Sequence, residues 1–346
     1  MAEKETPAPR SLLAGDSFTK AVAAEQELRL AHADQDLVTT EIPEGGELGF
    51  WKLALLRFLR HRVATVSLAI LATIAVLAIF VPILQGNLYR DQDYRNPYGA
   101  PFLFHSRQLA LPAGITITVP WADHLLGTDD LGRDELARLI RGGRVSLEVG
   151  LLAMLGYIII GGSLGAIAGY YGGFLDNLLM RFTDVIIAMP FILVVVAVTA
   201  ALGGVTLQTL IMVIAFTGWY EIGRLMRAQF LFLRESEFVQ AARALGASDF
   251  RIIFRHILPN SLAPIIVSAT LGVSGIILLE AALGFLGYSI PYPEPSWGNM
   301  LQGFEDKLLR DQTYLVFFPS IALVVTALCI NLVGDGIRDA LDPRQR

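Results

Sequence analysis

The chain has 346 residues, of which 54% are hydrophobic and 17% charged, with a mean hydropathy of +0.54 and a formal net charge of −5. This balance excludes a soluble globular domain and points to an integral membrane protein. The single cysteine, Cys329, excludes an intrachain disulfide and a cysteine-cluster metal site.

Residues 1–50 hold ten acidic and four basic residues, so the membrane part is close to neutral. Residues 1–49 read as a poorly ordered acidic tail on the cytoplasmic side, with one short helix near 18–31. No apolar run precedes residue 63, so this is not a signal peptide. From residue 50, Trp51, Leu55 and Phe58 share one face of a helix whose other faces carry Lys52, Arg57 and Arg60. Such a helix lies at a membrane surface before the first span.

Six runs are long enough to cross a bilayer or nearly so: 63–84, 146–169, 185–203, 205–220, 262–287 and 314–334. The fourth is short, about 24 Å of helix against about 30 Å of hydrocarbon, and is expected to continue past Glu221. Basic residues crowd the entrance to the first span and the loop between the fourth and fifth, which puts both on the cytoplasmic side. The segment 85–144 is then extracytoplasmic. Its tyrosines and prolines predict packed irregular structure there. Thr128 or Asp130 can cap a helix over 133–141, with Gly142-Gly143 breaking it before the second span. Residues 335–346 follow the last span as a cytoplasmic tail.

In the second span Gly161, Gly165 and Gly169 recur every four residues, and the fifth span carries Ser268, Gly272 and Gly275. Small residues at this interval let helix backbones touch in lipid, so these positions are candidates for helix packing or for lining a pathway. Glu148 and Glu280 lie at or within apolar runs, where a carboxylate is costly and often functional.

Between the fourth and fifth spans, residues 235–260 form a capped helix, a glycine break and a second capped helix. Ser236 can cap the first, with Phe238, Ala241, Ala242 and Leu245 on one face and Gly246 where a left-handed terminator belongs. Ser248 caps the second, Phe250, Ile253, Phe254 and Ile257 repeat the stripe, and Pro259 ends it. Two short amphipathic helices leave apolar ridges that a groove on a partner would bury.

This stretch resembles the EAA loop of the membrane subunits of binding-protein-dependent ABC importers. The pattern reads here as Gln240-Ala241-Ala242, Gly246 and His256-Ile257-Leu258-Pro259, with Gln240 in place of the name-giving Glu and His256 in place of the usual Ile. The core Leu126-Gly127-Thr128-Asp129-x-x-Gly132-Arg133-Asp134 is similar to that of importer subunits for dipeptides, oligopeptides and nickel. So are Pro295–Leu301 and Asn331–Pro343, and the resemblance extends over about residues 50–346.

The resemblance implies an all-α type I importer permease with six transmembrane helices, cytoplasmic coupling helices, an external insertion after the first span and a permease core over 145–334. It implies a sister permease, two ATPase subunits that bind ATP and magnesium, and an extracytoplasmic binding protein, in a bacterial or archaeal inner membrane. It also implies a membrane-lipid environment, peptide cargo before nickel, and neither nucleic acid nor chemistry catalysed by this chain. No lysine follows a glycine, so no phosphate-cradling loop exists here and ATP binds elsewhere. A proton-coupled secondary transporter is the rival from another class, resting on Glu148 and Glu280. An intramembrane protease built on Gly272-Val273-Ser274-Gly275 lacks a base, because all five histidines fall outside the spans.

Overall fold

The structure, a computed structural model, describes residues 50–342 apart from 86–88, 95–96, 100, 102, 112–114, 203 and 289. The acidic segment 1–49, with its expected short helix, lies outside the described residues.

Helix α1 (Phe50–Arg60) is followed after His61 by α2 (Arg62–Gln85). Phe58 is buried against Gly336 rather than turned outward, whereas Trp51 and Leu55 stay exposed. The expected surface face is therefore divided. Two antiparallel strands, β1 (Leu103–Leu111) and β2 (Ile115–His124), pair as a hairpin between α2 and the next helix. The insertion is thus not helical, and the fold is mostly rather than wholly α. The run Ile115-Thr116-Ile117-Thr118-Val119 alternates with period two and is rich in β-branched residues, a strand signal in plain view.

Helix α3 (Glu135–Tyr171) is capped by Asp134, whose Oδ1 accepts the Ala137 N–H at 2.7 Å. The cap is neither Thr128 nor Asp130. Thr128 Oγ1 instead accepts from the Gly99 N–H at 2.6 Å. The expected break at Gly142-Gly143 is also absent, since both sit buried inside α3. A Cβ at Gly143 would come within 2.8 Å of the Trp297 ring. These glycines give room to a crossing segment, and a helix held by packing tolerates their propensity cost of about 1 kcal/mol each.

The third predicted span is a bent pair. Helix α4 (Gly173–Ala188) and helix α5 (Phe191–Ala201) meet at 87°. Pro190 cannot donate, and it forces Met189 into the extended conformation, φ −76° and ψ 127°. Helix α6 (Leu207–Gly218) passes through helical Trp219 into α7 (Tyr220–Arg234), and the Gly223 N–H bonds the Trp219 carbonyl at 3.0 Å. Helix therefore continues past Glu221 as expected, about 42 Å in all, although only Leu207–Gly218 of it is apolar.

Helix α8 (Glu237–Ala244) precedes α9 (Asp249–Phe285), which runs without a stop through Pro259. Residues Ile252–Ile257 form a π-helical turn, in which the Leu258 N–H reaches back to Ile253 O. The wider turn carries α9 past a proline whose missing donor was expected to end the helix. Short helices α10 (Trp297–Met300) and α11 (Phe304–Leu309) lead to α12 (Tyr314–Leu341), which continues beyond the expected span end at 334.

By length and apolarity, Arg62–Ile83 of α2, α3, α9 and α12 can each cross a bilayer, and the bent pair makes a fifth span if counted as one. The core lies where α3 meets α7, α6 and α9, around Val149, Ala153, Trp219, Ile222, Phe230 and Ile277. Gly161, Gly165 and Gly169 face α7. A Cβ at the first would run into the Trp219 carbonyl, at the second into the Gly223 carbonyl, and at the third within 2.6 Å of the Arg227 carbonyl. Backbone meets backbone along this seam.

Outside the spans, Glu294 clasps the chain that follows α2. Its carboxylate accepts from the Tyr89 hydroxyl at 2.7 Å, from Arg90, and from Arg141 Nε at 3.1 Å. Burial works against the charge, but these donors outweigh it and hold the carboxyl below its ordinary 4.5. A depressed pKa contributes stability at neutral pH that is lost as pH falls through the folded value. Protection of residues 89–94 from hydrogen exchange, relative to the intrinsic rate at each pH, is expected to fall below pH 4.5 in the native chain. It should already be low at pH 7 in Glu294→Gln. Equal exchange in the two at pH 7 would show that the clasp does not hold this segment.

Candidate functional site: a coupling element and a membrane groove

The residues between α7 and the apolar length of α9 form one surface element. Ser236 takes the extended conformation of a cap, but its hydroxyl donates back to Leu233 O instead of accepting a helix N–H. Gln240 at the expected Glu position donates its amide to the Arg234 carbonyl at 3.2 Å, a bond that a carboxylate cannot make. Helix α8 ends on Gly246 at φ +79°. The Gly246 N–H bonds Arg243 O at 3.0 Å and the Ala247 N–H bonds Ala242 O at 3.1 Å, the paired closure of a Schellman motif.

The exposed ridge differs in part from the predicted stripes. Phe238, Leu245, Phe250 and Phe254 are exposed, Leu245 at 89%, and the Phe250 and Phe254 rings lie 4.4 Å apart. Ala241 and Gln240 are exposed beside them, Ala242, Ile253 and Leu258 are half-buried, and Pro259 is exposed within α9. Ile257 is fully buried with Ile252 and Val239 and forms the anchoring face. The π-helical turn changes the residue spacing, so the i, i+3, i+4, i+7 stripe that places Ile257 on the outer ridge does not survive it.

Two anchors were not foreseen. The Tyr170 hydroxyl at the end of α3 donates to Asp249 Oδ1 at 2.6 Å. Arg234 Nη1 donates to the last carbonyls of α3, Gly169 O and Tyr170 O, each at 3.2 Å. A basic side chain at the negative end of a helix is favourably placed. Neither has a periodic signature, because each is a contact between residues at least 64 positions apart in sequence.

The second feature is a groove of about 610 Å³ among α3, the bent pair, the α6–α7 rod and α9. Its walls include Met154, Tyr157, Ile186, Phe191, Phe216 and Ile276, with Glu221 among them. Of the positions expected to serve packing or a pathway, Ser268, Gly272 and Gly275 of α9 line this groove, Gly272 beside Met154. Gly161, Gly165 and Gly169 belong to the α3–α7 seam. Glu280 is fully buried and accepts from the Ser146 hydroxyl at 3.0 Å, while Ser146 Oγ also receives the Trp297 N–H at 3.2 Å.

Residues 161–346 match the model of the binding-protein-dependent transport system inner membrane component. Residues 49–101 match the N-terminal TM domain of oligopeptide transport permease C. The chain belongs to this permease family. Among its relatives are the dipeptide transport system permease protein DppC of Alkalihalophilus pseudofirmus, 40% identical over 86% of this chain and 90% of that protein. The oligopeptide transport system permease protein OppC of Bacillus subtilis is 37% identical over 86% and 91%. A solved chain of the MetNI methionine ABC transporter overlaps with a TM-score of 0.48 at 19% identity, over 59% of this permease and 96% of that chain. As a member of this family the permease is a multi-pass component of an ABC transporter in the inner membrane, and the family resemblance read from the sequence stands.

Proposed function

We propose that this permease is one membrane subunit of an ATP-driven importer of short peptides, and that residues 235–260 dock the ATPases that drive it. The observation that carries the reading is the exposed ridge of Phe238, Leu245, Phe250 and Phe254, borne on an element tied into the bundle rather than hung from it. A groove on a partner buries such a ridge, and four large apolar side chains have little other reason to face water. The peptide cargo is supported by the relatives named for dipeptide and oligopeptide transport.

Mechanistically, ATP and its magnesium act on the two ATPase subunits. Their closure displaces the coupling element. Because α9 continues from Asp249 to Phe285 without a hinge loop, and because Tyr170 links Asp249 to α3, the push reaches the walls of the groove. Opening alternates between the two sides as the helices tilt. A homologous permease supplies the other half of the pathway, and an extracytoplasmic binding protein delivers cargo.

The test is uptake of a labelled di- or tripeptide into vesicles holding the permease, its sister, two ATPases and the binding protein. ATP-dependent accumulation is expected. Accumulation driven by a proton gradient with the ATPases left out would instead favour secondary transport.

The orientation has its own test. With residues 1–49 in the cytoplasm, the chain after α2 lies outside, and Tyr94 there is 75% exposed. Tyr94→Cys in a Cys329→Ser background should react with a membrane-impermeant thiol reagent added to intact cells. Reaction only after the cells are opened would invert the topology.

A further inference from the structure

Glu221 is the one Asp, Glu, Lys, Arg or His among the described lining of the groove. It stands 13 or 14 residues from either end of the Leu207–Arg234 rod, about 20 Å of helix each way, and so near its middle. Among the described residues no ion pair or hydrogen bond engages its side chain. The nearest arginines along the rod are already committed: Arg224 Nη2 lies 2.9 Å from Asp184 and Arg227 grips Asp176. Its side chain is exposed, so an unpaired carboxylate on the groove wall meets whatever enters. Tyr157, Phe191, Phe216 and Tyr220 share the walls and offer ring faces, which also attract cations.

We propose that Glu221 makes the groove cation-selective and receives the ammonium group of passing cargo, which for a peptide is its free amino terminus. The inference rests on the importer reading above and deepens it. Low-dielectric walls focus the field of a single carboxylate, so a positive group is drawn in and a negative one is held off. Bulk apolar lining accepts varied side chains, while one fixed charge reads a group that every unblocked peptide carries.

The test uses the assembled transporter in permeabilised vesicles, with Gly275→Cys in a Cys329→Ser background. Gly275 lines the groove, and a Cβ there meets nothing within 4 Å. Labelling rates are compared for thiosulfonates carrying trimethylammonium or sulfonate, each normalised to free cysteine. The cationic reagent should be favoured by about tenfold, the lower end of what a focused field gives. Glu221→Gln should abolish the preference and Glu221→Asp should keep it. Alanyl-alanine amide, a cation, should slow labelling, while its N-acetylated form should not.

A preference unchanged in Glu221→Gln, or equal protection by both amides, would overturn the proposal. ATP-dependent uptake in the Cys329→Ser parent is measured alongside. Its absence would count against the importer reading itself, whereas intact uptake with an unchanged preference would count against Glu221 alone.

Discussion

Gly246→Val should cut ATP-driven uptake by about tenfold or more while leaving the protein inserted and folded. Gly246 sits at φ +79°, and an added Cβ there meets no atom within 4 Å, so the penalty is backbone strain alone. For a β-branched residue in the left-handed region that strain is about 1–2 kcal/mol, enough to lower the population of the bent form about tenfold. The chain escapes it by rotating φ, which breaks the bonds from Gly246 and Ala247 to Arg243 and Ala242 and so re-aims α8, with Phe238 and Leu245, relative to Phe250 and Phe254. Gly246→Asn is the control, since asparagine enters this region readily and should keep most of the uptake. Uptake and stimulated ATP hydrolysis are the readouts, with thermal melting as the check on folding. Full uptake in the valine variant would remove the docking role from this element.

What was legible in the sequence is what local chemistry controls. Gly246 was readable because a glycine after an amphipathic turn with the right spacing has one conformational use. The Gly161, Gly165 and Gly169 stripe was readable as a close-packed seam because its period matches one helix face. Its partner was not, because Trp219, Gly223 and Arg227 show no apolar pattern and present carbonyl groups rather than side chains. Pro190 and Pro259 carry the same local signal with opposite results. The first breaks a helix by 87°, while the second is carried through by a π-helical turn that depends on tertiary packing of Ile252 and Ile257. The continuation of helix past Glu221 was readable from the short fourth run, but its place on the groove wall was not, because that wall is made by helices distant in sequence.

Gly165→Val should act at the opposite end of the scale, removing the folded permease rather than its coupling. A Cβ at Gly165 would run into the Gly223 carbonyl and stand 3.0 Å from its carbon and from Met226 Cβ. The obstacle is main chain, so no rotamer change relieves it, and α3 must separate from α7 along a seam where Gly161 and Gly169 make the same approach. Overpacking of this kind costs about 1–3 kcal/mol in a core that can yield, and more where backbone faces backbone. The seam also holds Trp219, Ile222, Met226 and Phe230, all buried, so its parting opens the centre of the bundle. Gly275→Ala on α9 is the matched control, because its Cβ meets nothing within 4 Å and alanine favours the helix. Detergent extracts should yield little monodisperse Gly165→Val protein and a clearly lowered melting temperature, while Gly275→Ala should match the native chain. A Gly165→Val protein that melts with the native one would mean that α3 and α7 do not pack this closely in the membrane.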